Sequence, residues 1–248
     1  MKAVILAAGK GTRMRDLTLD RPKPMLPVQG KPILAHIVEG LANSGVRQFC
    51  IITGFKAEII EDYFQNGDPW GVHIEYARQI VQNGTGKAAE PARAFVGNDS
   101  FLLTYGDILV RPETYRAMMD RFHQGDCAGL LTTTRGADVQ KGGLLLLDSN
   151  FYVQQVVEKP SDQQLNQLQQ CGFLKPGDPV WYNAGIYIFP SAVFECIAQL
   201  QPSSRGEYEL TDAISALIQS GHRLTGLEIQ GRWVDVRDPE VLASLSKT

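Results

Sequence analysis

The chain has 248 residues, of which 44% are hydrophobic and 21% are charged, and its formal net charge is −3. These values are typical of a folded protein with one sizeable core. Because the chain has no global positive field to attract a polyanion, its composition argues against binding to nucleic acid or to an anionic membrane. A local basic site for a small anion stays open.

Cysteine usage and hydropathy bear on where the protein works. The four cysteines are scattered, with no CxxC pair, so we expect no structural zinc and a reduced, cytoplasmic setting. No run reaches the roughly 18 apolar residues that a membrane span needs. The apolar start, MKAVILAA, is too short for a signal peptide. We therefore expect a soluble protein.

The first half of the chain alternates strands and helices. Residues 2–9, KAVILAAG, form a near-continuous apolar run that ends at glycine, which is typical of a buried parallel strand. Apolar residues at helical spacing predict a helix over 32–45, closed by an Asn-Ser-Gly stop signal. Further strands are predicted at 46–54, 73–79 and 100–110, and further helices at 57–65 and 85–96. This alternation indicates right-handed crossovers and a mostly parallel α/β sheet.

The second half is less regular. We predict a glutamine-rich helix or turn and a Pro/Gly loop over 162–179, and one domain over 1–248 divided at about residue 110 into halves 1–110 and 111–248, because no repeat or linker interrupts the chain. Strands are predicted at 128–135, 142–150, 153–160, 181–190, 224–229 and 232–236, and helices at 191–200 and 210–221.

Two motifs fall at the carboxyl ends of predicted strands, where ligands bind in such sheets. LAAGKGTRM follows the first strand and YGD the fourth. The glycine loop is either a tight turn or an anion nest to which Lys10 and Arg13 add charge. It is neither GxGxxG nor GxxxxGK[ST], so it indicates neither a dinucleotide site nor a Walker loop.

Three further charged residues favour phosphate chemistry. Lys23 stands between two prolines that lock φ, so its ammonium has a fixed position suited to phosphates, unless it is simply solvated. Asp107 and Asp235 each end a predicted strand, although either could be a turn residue. Two carboxylates together with substrate phosphates are ligands that Mg²⁺ prefers.

The long segment LAAGKGTRMRDLTLDRPKPMLPVQGKPIL resembles the signature of the sugar-1-phosphate nucleotidyltransferases. The resemblance implies a three-layer, Rossmann-like, GT-A-like fold with a nucleotide-binding half and a sugar-phosphate-binding half. It implies an Mg²⁺-dependent enzyme that transfers a nucleotidyl group from a nucleoside triphosphate to a sugar 1-phosphate and releases pyrophosphate. Asp16 departs from the proline common there, with little consequence expected in a loop.

The resemblance also implies roles for nucleotide-binding residues. Arg13 and Lys23 would be catalytic, holding the triphosphate. The amide of Gln79 would read the edge of a pyrimidine, uracil over thymine, so UTP is the expected donor. Thr85 has an alternative role as a helix N-cap. The implied nucleotide-binding set is Leu6, Ala8, Gly9, Gly11, Thr12, Gln79, Gly84 and Thr85.

The resemblance also implies roles for residues that bind the sugar phosphate and the metal. Glu158 would contact the sugar hydroxyls and Lys159 the sugar phosphate, and Asp107 and Asp235 would bind the metal. The implied sugar-phosphate-binding set is Gly143, Glu158, Lys159, Asn183 and Gly185.

Two positions depart from this pattern. Leu144 stands where an arginine is often found, and Arg237 where a glycine is common. Arg237 would either crowd the metal loop or reach a phosphate. In the segment RGEYELTDAI, Glu207 and Asp212 also match the family, but Thr211 or Asp212 could equally be a helix cap.

Several alternatives stay open. They are a cytidylyltransferase acting on a small phospho-alcohol, a transferase of the same family using dTTP or GTP, and a regulatory module that binds nucleotides without catalysis. A dehydrogenase is disfavoured because the second strand lacks the terminal acid that binds ribose. We expect no acetyltransferase half, because no β-helix repeats follow. The sequence does not reveal the sugar or the oligomeric state.

Overall fold

The computed structural model describes residues 1–175, 177 and 179–245. The end of the predicted domain at 246–248, and residues 176 and 178 of the predicted Pro/Gly loop, lie outside the described residues. The strands are β1 (Lys2–Leu6), β2 (Pro27–Val28), β3 (Lys31–Pro32), β4 (Gln48–Thr53), β5 (His73–Arg78), β6 (Phe101–Tyr105), β7 (Ile108–Val110), β8 (Gly129–Thr134), β9 (Gly143–Leu147), β10 (Val153–Glu158), β11 (Trp181–Phe189), β12 (Leu224–Glu228) and β13 (Trp233–Asp235). The α-helices are α1 (Ile33–Asn43), α2 (Ala57–Phe64), α3 (Thr85–Ala89), α4 (Arg93–Val96), α5 (Pro112–His123), α6 (Asp162–Gln170), α7 (Val193–Ala198), α8 (Leu210–Gln219) and α9 (Pro239–Leu245).

One large sheet joins the two halves of the chain. Its order is β10-β9-β11-β6-β1-β4-β5, with β8 paired to β11 and β12 paired to β8. The strands from the first half, β6-β1-β4-β5, are parallel throughout. The second half attaches through β11, which runs antiparallel to β6. The predicted α/β fold class is confirmed, with the parallel pairing concentrated in the first half.

Helices cover both faces of this sheet, which makes three layers. Alternate residues of β1 point to opposite sides, so Ile5 packs in one apolar cluster with α1 and Val4 in another with α8. Strands buried on both faces need the continuous apolar sequence that β1 has.

The structure differs from the predicted elements in several places. The helix predicted over 85–96 is divided into α3, a short 3-10 turn and α4, because Pro91 supplies no N–H to a continuous helix. The strand predicted over 100–110 breaks at Gly106 and Asp107, and β7 pairs with β13 in a separate sheet. Helices α5 and α9 were not predicted, because each buries few residues: Thr114, Tyr115 and Met118 in α5, and Leu242 and Leu245 in α9.

Among the described residues, no helix is both long and apolar enough to cross a membrane.

The centre of the sheet should dominate stability. Leu103 is fully buried in β6, so we expect Leu103→Ala to lower the free energy of unfolding by about 2–5 kcal/mol, measured by urea denaturation. Leu19, at 64% exposure, is the matched control, and Leu19→Ala should change stability by less than about 0.5 kcal/mol. Equal effects of the two substitutions would contradict the assigned core.

Candidate active site

A cavity of about 340 Å³ opens at the carboxyl ends of β1 and β6. Because these strands are parallel and in register, with Leu6 opposite Tyr105, the loops after them lie side by side. The cavity is lined by Leu6, Ala7, Ala8, Gly9, Gly11, Lys23, Pro24, Gln79, Gln82, Gly84, Thr85, Ala88, Tyr105, Gly106, Asp107 and Glu207. The sequence-predicted nucleotide residues are therefore brought together here, except Thr12.

The glycine loop packs closely against the PKP element. Gly11 has φ +66, and a Cβ there would stand 2.7 Å from the Cβ of Lys23. Glycine is needed both for this backbone conformation and for this approach. Arg13 lies beyond the loop and lines a second cavity. Lys10 lies outside both cavities, with its Nζ 5.6 Å from the ring centroid of Phe55.

Lys23 is held in place at the junction of the two cavities. Its side chain is only 13% exposed, and its Nζ donates to Oδ2 of Asp107 at 2.5 Å. Both residues line both cavities, as do Thr85 and Tyr105. A buried ammonium beside a carboxylate here can exchange that partner for phosphate oxygens.

The segment after β5 closes the first cavity. Gln79 is buried, and its side-chain amide donates to the carbonyl of Gly84 at 3.4 Å. Gly84 has φ +128, and a Cβ there would lie 2.4 Å from the backbone nitrogen of Tyr208. The alternative role of Thr85 as an N-cap is wrong, because its Oγ1 accepts from the amide of Leu210 at 3.1 Å while the N-cap of α3 is Gly84. Thr85 thus ties this segment to the start of α8.

The second cavity, of about 210 Å³, adjoins the first and gathers the sequence-predicted sugar and metal residues. It is lined by Arg13, Lys23, Thr85, Tyr105, Asp107, Ile108, Lys141, Gly142, Gly143, Glu158, Lys159, Tyr182, Asn183, Ala184, Gly185, Tyr187, Thr211, Trp233, Asp235 and Arg237.

Two carboxylates face this cavity from adjacent strands. β13 pairs with β7, and the amide of Val236 donates to the carbonyl of Asp107 at 3.0 Å, so Asp107 and Asp235 are neighbours across the small sheet. Burial raises the pKa of Asp235, and the negative charge of Asp107 raises it further. This crowding of negative charge would be relieved by a bound cation. No group of three or more His, Cys, Asp or Glu side chains suited to a metal occurs among the described residues, so substrate oxygens would have to complete the coordination.

Residues of the predicted sugar-phosphate-binding set are held by close backbone packing. Lys159 has φ +41, an uncommon conformation for a non-glycine residue, and its amide donates to the carbonyl of Gly142 at 2.5 Å. Gly185 has φ +79, and a Cβ there would lie 2.4 Å from Cδ1 of Ile108. Oδ1 of Asn183 accepts from the amide of Gly185 at 3.4 Å.

Glu158 is a partly buried carboxylate between two cations. Burial raises its pKa, whereas the charges of Lys159 and Arg205 lower it. The Oε1 of Glu158 lies 3.7 Å from Nζ of Lys159 and 3.6 Å from a guanidinium nitrogen of Arg205. Glu158 can accept hydrogen bonds from sugar hydroxyls while these cations balance its charge.

Leu144, which stands where an arginine is often found, does not line the second cavity. It is fully buried in a small apolar cluster with Leu146, Leu174 and Tyr182. The residue that replaces the usual arginine therefore contributes to packing beneath the cavity.

Sequence reasoning missed several lining residues, among them Gln82, Tyr105, Tyr182 and Thr211. Thr211 is only 5% exposed, and among the described residues its hydroxyl has no hydrogen-bond partner. It begins no helix, because α8 starts at Leu210. A buried, unpaired hydroxyl at a polar cavity points to a ligand as its partner. Its position within the segment RGEYELTDAI was the available signal.

The profile of the nucleotidyl transferase family matches residues 2–248. A curated relative, the UTP–glucose-1-phosphate uridylyltransferase AglF of Haloferax volcanii, is 33% identical, over 97% of this chain and 93% of the relative. The bifunctional protein GlmU of Methanococcus maripaludis is 37% identical over 99% of this chain and 54% of its own length. The chain thus spans about half the length of several curated relatives.

The fold is also similar to that of solved structures. A Bacillus anthracis protein assigned as a glucose-1-phosphate thymidylyltransferase, in complex with sucrose, superposes with a TM-score of 0.83 at 27% identity. The similarity covers 100% of this chain and 94% of that protein.

The unpaired hydroxyl of Thr211 yields a stability prediction. Since it gains nothing from the protein in return for desolvation, Thr211→Val should leave the free energy of unfolding unchanged or raise it by up to about 1 kcal/mol in urea denaturation. The matched control is Thr133, whose buried hydroxyl donates to the carbonyl of Tyr182 at 2.8 Å. Thr133→Val should cost about 1–3 kcal/mol, because it leaves that carbonyl short of a donor. A comparable loss in Thr211→Val would reveal a partner within the protein.

Proposed function

The chain belongs to the nucleotidyl transferase family, and on that premise we propose that it transfers a nucleotidyl group from UTP to a sugar 1-phosphate, giving a nucleoside diphosphate sugar and pyrophosphate. The observation that carries this proposal is the meeting of two cavities at the Lys23–Asp107 pair. A one-substrate binding module would need only the first cavity, whereas a transferase needs two phosphate-bearing substrates side by side.

The reaction requires no covalent intermediate with the protein. An oxygen of the sugar phosphate attacks the α-phosphorus of the triphosphate, a new P–O bond forms, and the bond to the β-phosphate breaks as pyrophosphate leaves. The nucleophile is already an anion, so no general base is required. The protein contributes position and charge.

Different residues of the two cavities bind the triphosphate and the sugar phosphate. The backbone of the glycine loop and Lys23 hold the triphosphate, with Arg13 reaching it from the second cavity. Lys159 brings in the sugar phosphate, and Glu158 and Asn183 orient the sugar. The orphan hydroxyl of Thr211 gains its partner from the same substrate.

Asp107 and Asp235 fit a magnesium ion, because both are hard oxygen donors that line the second cavity, and Asp107 lines the first as well. When bound there, Mg²⁺ would neutralise charge that develops on the phosphate oxygens. Burial and mutual repulsion of the two carboxylates favour such a cation.

UTP is the donor we favour on two grounds. Gln79 is buried at the first cavity with its amide near Gly84, where it suits the edge of a pyrimidine. The relative AglF, which matches this chain along 93% of its own length, is named for UTP. The thymidylyltransferase assignment of the B. anthracis structure makes dTTP the second candidate.

A pyrophosphate-release screen tests the assignment. Purified protein is incubated with each of UTP, dTTP, GTP, CTP and ATP against a panel of hexose 1-phosphates and phosphocholine. We expect release with UTP and a sugar 1-phosphate. Activity confined to CTP with phosphocholine would replace this proposal with the cytidylyltransferase alternative.

Lys23 should matter for turnover far more than for folding. We expect Lys23→Ala to lower kcat by about 10²–10³, as for other electrostatic stabilisers of a transition state, with a thermal unfolding midpoint close to that of the wild type. Lys10→Ala is the control, because Lys10 lies outside both cavities, and it should retain most activity. Wild-type turnover in Lys23→Ala would rule out its assigned role.

A further inference from the structure

Arg237 is a cation in the second cavity to which the resemblance gave no definite role. Its Nε lies 3.6 Å from Oδ2 of Asp235, and its side chain is 23% exposed. The side chain lines the cavity together with Lys159 and Tyr182. This position commonly holds a glycine in the resembling family, so a role of this guanidinium would be a feature of this chain that relatives with glycine lack.

The protein leaves the donors of Arg237 largely unused. At 3.6 Å, the contact with Asp235 is an ion pair without a hydrogen bond. The next carboxylate, Asp238, accepts from the amide of Val241 at 2.9 Å and so caps α9. Among the described residues, the guanidinium makes no hydrogen bond, although it carries five N–H donors.

The location of Arg237 relates it to the sugar phosphate. Tyr182 lines the same cavity as Arg237, and its hydroxyl packs against Gly142, where a Cβ would lie 1.9 Å away. Gly142 in turn accepts from the amide of Lys159. Arg237, Lys159, Gly142 and Tyr182 therefore all line the second cavity, where the guanidinium and the ammonium share one space.

We propose that Arg237 is a ligand of the phosphate of the sugar 1-phosphate, which it grips together with Lys159. This inference rests on the proposed function. Guanidinium and phosphate match in a bidentate geometry that an ammonium cannot reproduce. The ion pair with Asp235 keeps the guanidinium at the cavity before the phosphate binds. The N–H groups of Arg237 then donate to the phosphate oxygens.

The test is the separation of two Michaelis constants. Arg237→Gln keeps much of the side-chain length and removes the charge, while Arg237→Lys keeps the charge and loses the fork. For Arg237→Gln we expect the KM for the sugar 1-phosphate to rise about tenfold or more, with the KM for the nucleoside triphosphate within about twofold of wild type. The KM of Arg237→Lys for the sugar 1-phosphate should lie between the values of Arg237→Gln and the wild type.

The matched control is Arg232→Gln, which removes the same charge from an exposed residue three positions before Asp235 and outside both cavities. Its constants should equal those of the wild type. A thermal unfolding transition shows that each variant is folded. If Arg237→Gln does not fold, the KM values of Arg237→Lys are sufficient for the test.

Two results would overturn this inference and leave the proposed function intact. One is an unchanged KM for the sugar 1-phosphate in the Arg237 variants of an active enzyme. The other is a raised Mg²⁺ requirement without a selective rise in that KM, which would mean that Arg237 only supports Asp235. A wild-type protein that releases no pyrophosphate with any substrate pair would instead overturn the proposed function, and this inference with it.

Discussion

The antiparallel pairing of β11 with β6 is the constraint on which the site depends. It places Ile186 opposite Thr104 and continues to Phe189 opposite Phe101. Before that ladder begins, β11 carries Asn183 and Gly185 past the end of β6, and its pairing with β8 shifts register between Asn183 and Tyr187. An irregularity of this kind re-aims side chains near a site. Asn183 and Gly185 thus reach the carboxyl end of the parallel strands, where the first cavity opens.

Glycine at position 185 makes this junction possible. A Cβ there would lie 2.4 Å from Ile108 and 3.0 Å from the ring of Tyr105. Both contacts involve residues that flank Gly106 and Asp107, so the close approach of β11 also positions the carboxylate. Geometry at the backbone level, rather than a long reach by flexible side chains, sets the separation of the two cavities. Such preorganisation suits a reaction that depends on alignment and charge.

The sequence predicted the residues that lie next to one another along the chain better than those that the fold brings together. The parallel half followed from continuous apolar runs, and the glycine loop, Lys23 and Asp107 followed from their places after strands. The two strand-end carboxylates were also predicted, although the β7–β13 pairing that joins them was not. That pairing joins segments far apart in the chain, and a local turn signal at Gly106 and Asp107 does not indicate which distant strand pairs with β7. Among the candidates that the sequence suggested, Thr12, Lys10 and Asp212 line neither cavity.

Tyr208, Thr211 and Arg205 illustrate what periodicity cannot supply. They belong to the segment before and at the start of α8, whose local pattern indicates no more than a loop and a helix cap. The roles of Tyr208 and Arg205 arise from distant partners: the carbonyl of Tyr208 accepts from the amide of Gly86, and Arg205 contacts Glu158. Contacts between residues so far apart in the chain cannot be predicted from a local sequence pattern.

The same segment links the two cavities physically. On one side, its backbone packs on Gly84, and the amide of Leu210 donates to Thr85; Gly84 and Thr85 both line the first cavity. On the other side, Thr211 lines the second cavity and has a hydroxyl without a partner among the described residues. A ligand that fixes Thr85 also limits the movement of the Leu210 amide, one residue from Thr211. The Thr85–Leu210 hydrogen bond therefore fixes Thr211 in position relative to the first cavity, so one backbone contact bears on the geometry of both cavities.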